Sequence, residues 1–163
     1  MNEQQINHSF VKNNGNKMER KIAIASDHAG YNMKLSIIQY LEELGFEVKD
    51  YGTDSYESVD YPDYGHPLAN AVENGVCELG ISLCGSGNGI NMVTNKHQGI
   101  RGALCWNKEI TRLARSHNDA NICSIPARFI DLNLAREIVE VFLSTQFDGG
   151  RHNIRIDKIP DNS

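Results

Sequence analysis

The sequence predicts an α/β fold in which a parallel sheet is covered by helices on both faces. Short apolar runs suited to buried strands alternate five times with longer segments of helical periodicity. Glycine or Asn/Asp/Pro clusters separate most of them, as turns require. Strands that alternate with helices are joined by crossovers, and crossovers place helices over both faces of a parallel sheet.

The elements follow in order. KIAIAS, residues 21–26, reads as the first strand. Over 30–44, Met33, Leu35, Ile37, Ile38, Leu41 and Leu44 recur at helical spacing, and Gly45 suits the C-terminal cap. FEVKDYG, 46–52, is a second strand, polar enough to lie near an edge. A loop with Asp60, Tyr61, Pro62 and Asp63 leads to a helix over about 66–74. The third strand, 79–84, is followed by a short helix over 88–95. A fourth strand over 100–106, a helix over 108–116 and a fifth strand over 121–126 come next. Asp131 caps a last long helix through 143, whose apolar side holds Leu132, Leu134, Ile138, Val139, Val141 and Phe142.

Residues 21–160 are expected to form one domain. Residues 1–20 are rich in Asn and Gln and lack periodicity, which reads as a disordered arm, or as an upstream extension if translation begins at Met18. They contain no apolar stretch of the kind a secretory signal carries. A net charge of −5 argues against a nucleic-acid or membrane-surface binder, both of which need a basic face. Cys77, Cys84, Cys105 and Cys123 form no CxxC pair, so free thiols in a reducing cytoplasm are expected rather than disulfides or a zinc site.

The chemistry concentrates in LGISLCGSGNG, residues 79–89. An apolar strand ends at Cys84, and Gly85, Gly87 and Gly89 then remove every second side chain, so backbone N–H groups can face a ligand. A thiol at such an anion-attracting turn is placed for reaction with a carbonyl compound; an ordinary turn with a buried cysteine is the alternative. Ligands of open α/β sheets sit outside the carboxyl ends of the strands. Asp27 and His28 follow the first strand there and Arg128 the fifth, while His117, Asn118 and Asp119 lie just before the fifth. Asp27 reads either as a helix cap or as an acid–base group beside His28; His117 reads as a C-terminal cap or a catalyst. His66 and His97 show no partner pattern and are expected at the surface. HxxxH and HExxH spacings are absent, so no metal is expected. The glycine run lacks GxGxxG spacing and an acidic residue about 20 positions on, so no nicotinamide cofactor is expected. In GGRHNIRIDK, 149–158, Arg151 and Arg155 would share a helical face and grip one phosphate, with Arg128 and His28 assisting.

SDHAG, DYPDYG, CGSGNG, NKHQGIRGALC, ARSHNDAN and GGRHNIRI, in this order across the domain, resemble the type B ribose-5-phosphate isomerases of the ribose/galactose isomerase family. The resemblance implies a Rossmann-like three-layer α/β/α sandwich with a five-stranded parallel sheet in the order 2-1-3-5-4. It implies homodimers, often paired into tetramers, with active sites shared between subunits, and a reaction without cofactor. It makes Cys84 the base that removes the C2 proton of an open-chain aldose, and Ser86 the hydroxyl that helps move a proton between O1 and O2. Amides from Gly85 to Gly89, including Gly87 and Asn88, would stabilise the enediolate. His117, helped by Asp27, would open the furanose ring. Asn118 would bind the sugar, and His28, Arg128, Arg151 and Arg155 the phosphate. One branch of the family has a Glu just after this run in place of the thiol; Ile90 stands here, which leaves the proton transfer to Cys84. The implied reaction is interconversion of ribose 5-phosphate and ribulose 5-phosphate. A six-carbon sugar phosphate (allose or galactose 6-phosphate) and a non-catalytic sugar-phosphate sensor are the alternatives.

Overall fold

The computed structural model describes residues 20–160; apart from Arg20, the N-terminal arm lies outside them. Five parallel strands form one sheet in the order β2-β1-β3-β5-β4. They are β1 (Lys21–Ser26), β2 (Glu47–Asp50), β3 (Leu79–Cys84), β4 (Gly102–Leu104) and β5 (Ile122–Pro126). The helices are α1 (Tyr31–Glu43), α2 (Pro62–Glu73), α3 (Asn88–Thr94), α4 (Lys108–Asn118), α5 (Leu132–Ser144) and α6 (Arg151–Ile156). None of the helices among the described residues is long and apolar enough to cross a membrane.

Period-2 alternation in β1 shows how the layers form. Ile22 and Ile24 point into a core shared with Ile37 and Leu41 of α1 and with Ile138 and Phe142 of α5. Ala23 and Ala25 point the other way, against Leu68, Ala69 and Val72 of α2. Small residues on that face let α2 lie close to the sheet. Each of the fully buried isoleucines contributes about 1.5–3 kcal/mol.

The expected strand order is observed, with local differences in the elements: β2 covers Glu47–Asp50 rather than 46–52. Helix α2 begins at Pro62 rather than near His66: a proline at the first helical position loses no intrahelical bond, so PDYG is first turn and not loop. Strand β4 is only three residues long, because asparagine side chains take over the backbone groups at its start. Arg101 N–H donates to Asn121 Oδ1 at 2.8 Å and Gly102 N–H to Asn95 Oδ1 at 2.9 Å. A 3₁₀ turn, His28–Gly30, precedes α1.

The sheet order reverses direction between β1 and β3, since the chain leaves β1 toward β2 and leaves β3 toward β4. A crevice at this switch point is where α/β sheets place ligands. One wall is braced by Lys34 of α1, whose fully buried ammonium donates to both Asp50 oxygens at 2.7 Å and to the Thr53 carbonyl at 2.6 Å. Another brace runs from the Ser82 and Ser124 hydroxyls, 2.7 Å apart, to Asn91 Oδ1 of α3. It fixes α3 behind the glycine loop.

Candidate active site

Cys84 ends β3 and is 4% exposed. Its Sγ accepts a hydrogen bond from the Gly87 amide at 3.1 Å, the contact a thiolate accepts best. The loop must double back for this, and Gly87 does so at φ 74°, the left-handed region. A Cβ at Gly87 would stand 2.5 Å from Leu104 Cδ1 and 3.1 Å from the Pro126 nitrogen. Gly89 lies under the Tyr61 ring, which approaches to 2.6 Å of where a Cβ would be. Exposed Ser86 and Asn88 flank the loop, and the Ser86 hydroxyl accepts from the Asn88 amide at 3.3 Å. Ile90, the first residue after the glycine run, is wholly buried.

The neighbouring strand ends supply the rest of this edge. Asp27 is both a cap and a buried carboxylate: Oδ1 accepts from the Ala29 and Gly30 amides at 2.9 and 3.2 Å. His28 Nδ1 accepts from the Val59 amide at 3.2 Å. That bond leaves Nε2 to carry the ring proton as an outward donor. The Ala127 amide donates to the Cys84 carbonyl and the Arg128 amide to the Gly85 carbonyl, both at 3.0 Å. Arg128 therefore lies across Gly85, with Cδ 3.3 Å from where a Cβ would sit.

The remaining candidate groups do not gather at the carboxyl edge with Asp27, His28, Cys84 and Arg128. Helix α4 runs antiparallel to the strands, so His117 and Asn118 at its end emerge at the amino edge, just before β5. Register pairs Cys84 with Pro126 at the far end of β5 and Gly80 with Ile122 at the near end, a separation of about 13 Å along the strand. Arg151 and Arg155 share the amino edge: the His117 and His152 rings stack with centroids 4.4 Å apart, and the Asp148 amide donates to the Ser116 carbonyl at 2.9 Å. The four groups expected to hold one phosphate are thus divided, with His28 and Arg128 at one edge and Arg151 and Arg155 at the other.

His152 and Asp148 are site neighbours that residue spacing did not reveal. Asp148 Oδ2 lies 3.9 Å from His117 Nε2, and the ligand-capable atoms of His117, Asp148 and His152 fall within 4.8 Å of one another. Burial, His117, Arg151 and Arg155 together lower the proton affinity of His152, and such cationic surroundings suit an anion better than a metal ion. His66 and His97 prove to be partners, with Nδ1 and Nε2 2.9 Å apart and Glu73 Oε2 3.2 Å beyond. Sequence separations of 31 and 24 gave no sign of it. All four cysteines are buried free thiols.

A thiol at the β1/β3 crevice, amide donors around it and arginines for an anion equip an aldose–ketose isomerase of phosphorylated sugars. Residues 22–159 match the model of the Ribose/Galactose Isomerase family, and the chain belongs to that family. It is 42% identical over 140 residues to ribose-5-phosphate isomerase B of Escherichia coli, covering 86% of this chain and 94% of that one. The structure of ribose-5-phosphate isomerase B from Clostridium thermocellum superposes with a TM-score of 0.85 at 50% identity, covering 85% and 94% of the two chains. That of the Mycoplasma genitalium protein, which has ribulose-5-phosphate bound, gives 0.83 at 39% identity over 85% and 93%.

Proposed function

We propose that this chain is a cytoplasmic homo-oligomeric isomerase that interconverts D-ribose 5-phosphate and D-ribulose 5-phosphate, with each active site built from two subunits. The observation that carries the reaction is the Gly87 amide on Cys84 Sγ, in a loop where Ile90 offers no competing carboxylate. Cys84 takes the proton from C2 of the open-chain aldose, and its thiol, after exchange with solvent, delivers a proton to C1. Ser86 shuttles the hydroxyl proton between O1 and O2. Amides of the 85–89 turn hold the enediolate oxygen, where preorganised donors act most strongly. Asp27 completes this half.

A second copy supplies the other half. Its His117 opens the furanose ring, its Asn118 binds the sugar, and its Arg151 and Arg155 face His28 and Arg128 across the phosphate. Pairing is supported by exposed apolar residues beside both half-sites: Phe129, next to Arg128, is 76% exposed, and Ile154, between the two arginines, is 64% exposed. Phosphate binding remote from the reacting carbons supplies energy for ring opening and alignment.

The test is an isomerase assay on ribose 5-phosphate and allose 6-phosphate with the parent and Cys84→Ala. The parent should turn over the pentose ester, and in D₂O should place deuterium at C1 of ribulose 5-phosphate. Cys84→Ala should lower kcat by about 10²–10⁴-fold, the usual worth of a general base, while still binding the ester. Undiminished turnover by the variant refutes the role of Cys84, and preference for the hexose ester refutes the substrate.

A further inference from the structure

Helix α4 ends on a residue in a conformation that L-amino acids avoid. Asp119 has φ 46° and ψ 45°, the sole positive φ of a non-glycine residue among those described. Strain of this kind persists only where the surroundings over-determine it, and such places cluster at functional sites. The surroundings are two arginines. Arg101, ahead of β4, donates from one guanidinium nitrogen to Asp119 Oδ2 at 2.9 Å. Its Nε donates to the carbonyls of Asp119 at 2.9 Å and Asn118 at 3.2 Å. Arg115, one turn back in α4, donates to Asp119 Oδ1 at 3.0 Å and to the Ala120 carbonyl at 2.6 Å.

The two guanidiniums reach the same carboxylate from different anchors. Arg115 lies 5.6 Å over the Phe142 ring of α5, and the Arg101 backbone is bonded to Asn121. The carbonyls freed at the end of α4 are taken up by these arginines, which also grip the carboxylate. His117 and Asn118 are the two residues immediately ahead of this clamped corner. An ordinary turn would need one cap; this corner has a doubly paired carboxylate, three capped carbonyls and a left-handed backbone.

We propose that Asp119, held between Arg101 and Arg115, is a positioning residue for the isomerase reaction: the clamp aims His117 and Asn118 out of the amino edge and into the cleft of the neighbouring subunit. This inference rests on the functional reading above, in which His117 acts on the sugar ring. Asp119 itself touches no reacting atom. Its carboxylate acts by fixing the direction of the last turn of α4, where a displacement of an ångström at His117 is enough to lose most of the rate.

Asp119→Asn and Asp119→Gly separate positioning from folding, since asparagine and glycine both accept the left-handed backbone but neither can form the double ion pair. Parent activity on ribose 5-phosphate is measured first, and its absence would refute the functional reading and not the clamp geometry. With an active parent, both variants should keep the parent's circular dichroism and lose kcat by about 10- to 100-fold. The inhibition constant of inorganic phosphate should change several-fold less than kcat, because α6, which carries Arg151 and Arg155, meets the last turn of α4 through the His117–His152 stack and the Asp148–Ser116 bond and not through the clamp. Arg101→Gln should reproduce the kcat loss. Folded variants with parental kcat would overturn the proposal. So would loss of kcat and of phosphate inhibition in the same proportion, which would mark the clamp as a general support of the edge.

Discussion

If the two half-sites of one chain serve two different active sites, inactive variants of opposite edges must rescue each other. Cys84→Ala disables the carboxyl edge and His117→Ala the amino edge, and each pure protein should be nearly inert. The shared-site reading rests on the distance between the edges, about 13 Å along β5, against the contact of about 3 Å that proton transfer needs. In a freely exchanged equal mixture, a site works only if its carboxyl edge comes from the His117→Ala chain and its amino edge from the Cys84→Ala chain. Each condition holds half the time, so activity should return to about one quarter of the parent's, whether the assembly is a dimer or a pair of dimers. The two chains are co-expressed with different tags, mixed species are quantified by native mass spectrometry, and ribulose 5-phosphate formation is followed. Mixed oligomers that stay as inert as their parents would refute the shared site.

Three further outcomes follow from the same geometry. Arg155→Ala should raise KM for ribose 5-phosphate by about 10- to 100-fold, the equivalent of one hydrogen bond to a charged group, and inorganic phosphate should inhibit the variant far less than the parent. Gly87→Ala must adopt φ 74° and press its Cβ against the Pro126 nitrogen. It should cost about 2–4 kcal/mol in urea unfolding and remove the amide contact to Cys84. For His152 the folded state disfavours the proton, so an unfolding chain takes one up as the pH falls below the ordinary histidine value of about 6.5. Its contribution to stability is thus complete above that value and lost on acidification toward the lowered one. Melting temperatures should therefore fall less steeply between about pH 7.5 and pH 5 in His152→Gln than in the parent.

Much of this molecule can be read from local pattern, and the parts that cannot share a cause. The alternation Ile22-Ala23-Ile24-Ala25 already separates the two core faces, and Asp131 accepts the Leu134 amide at 2.8 Å as a helix cap should. The thiol at the end of β3 and its glycine turn were legible because their chemistry lies in consecutive residues. Pro62 misled because a proline suits both a loop and the first turn of a helix. The stacking of His117 on His152, the His66–His97 pair and the grip of Arg101 on Asp119 join residues far apart in the chain, and periodicity carries no information about them. The separation of the two half-sites falls between these cases. Strand direction alone puts the end of α4 at the amino edge, yet the residues it carries resemble those of a single converged site.

A ligand held between two edges belongs to two molecules at once. Every phosphate ester bound across His28 and Arg128 of one copy and Arg151 and Arg155 of another would also hold those copies together. Association and substrate binding are then linked functions, and each must strengthen the other by the same factor. At an ester concentration of about 100 times its dissociation constant, each occupied site adds about 2.7 kcal/mol to the stability of the bound form. Two such sites amount to about four orders of magnitude in the dissociation constant of the pair. Catalytic capacity would thus rise with the metabolite pool in two ways, through saturation of existing sites and through recruitment of subunits that dilution had separated.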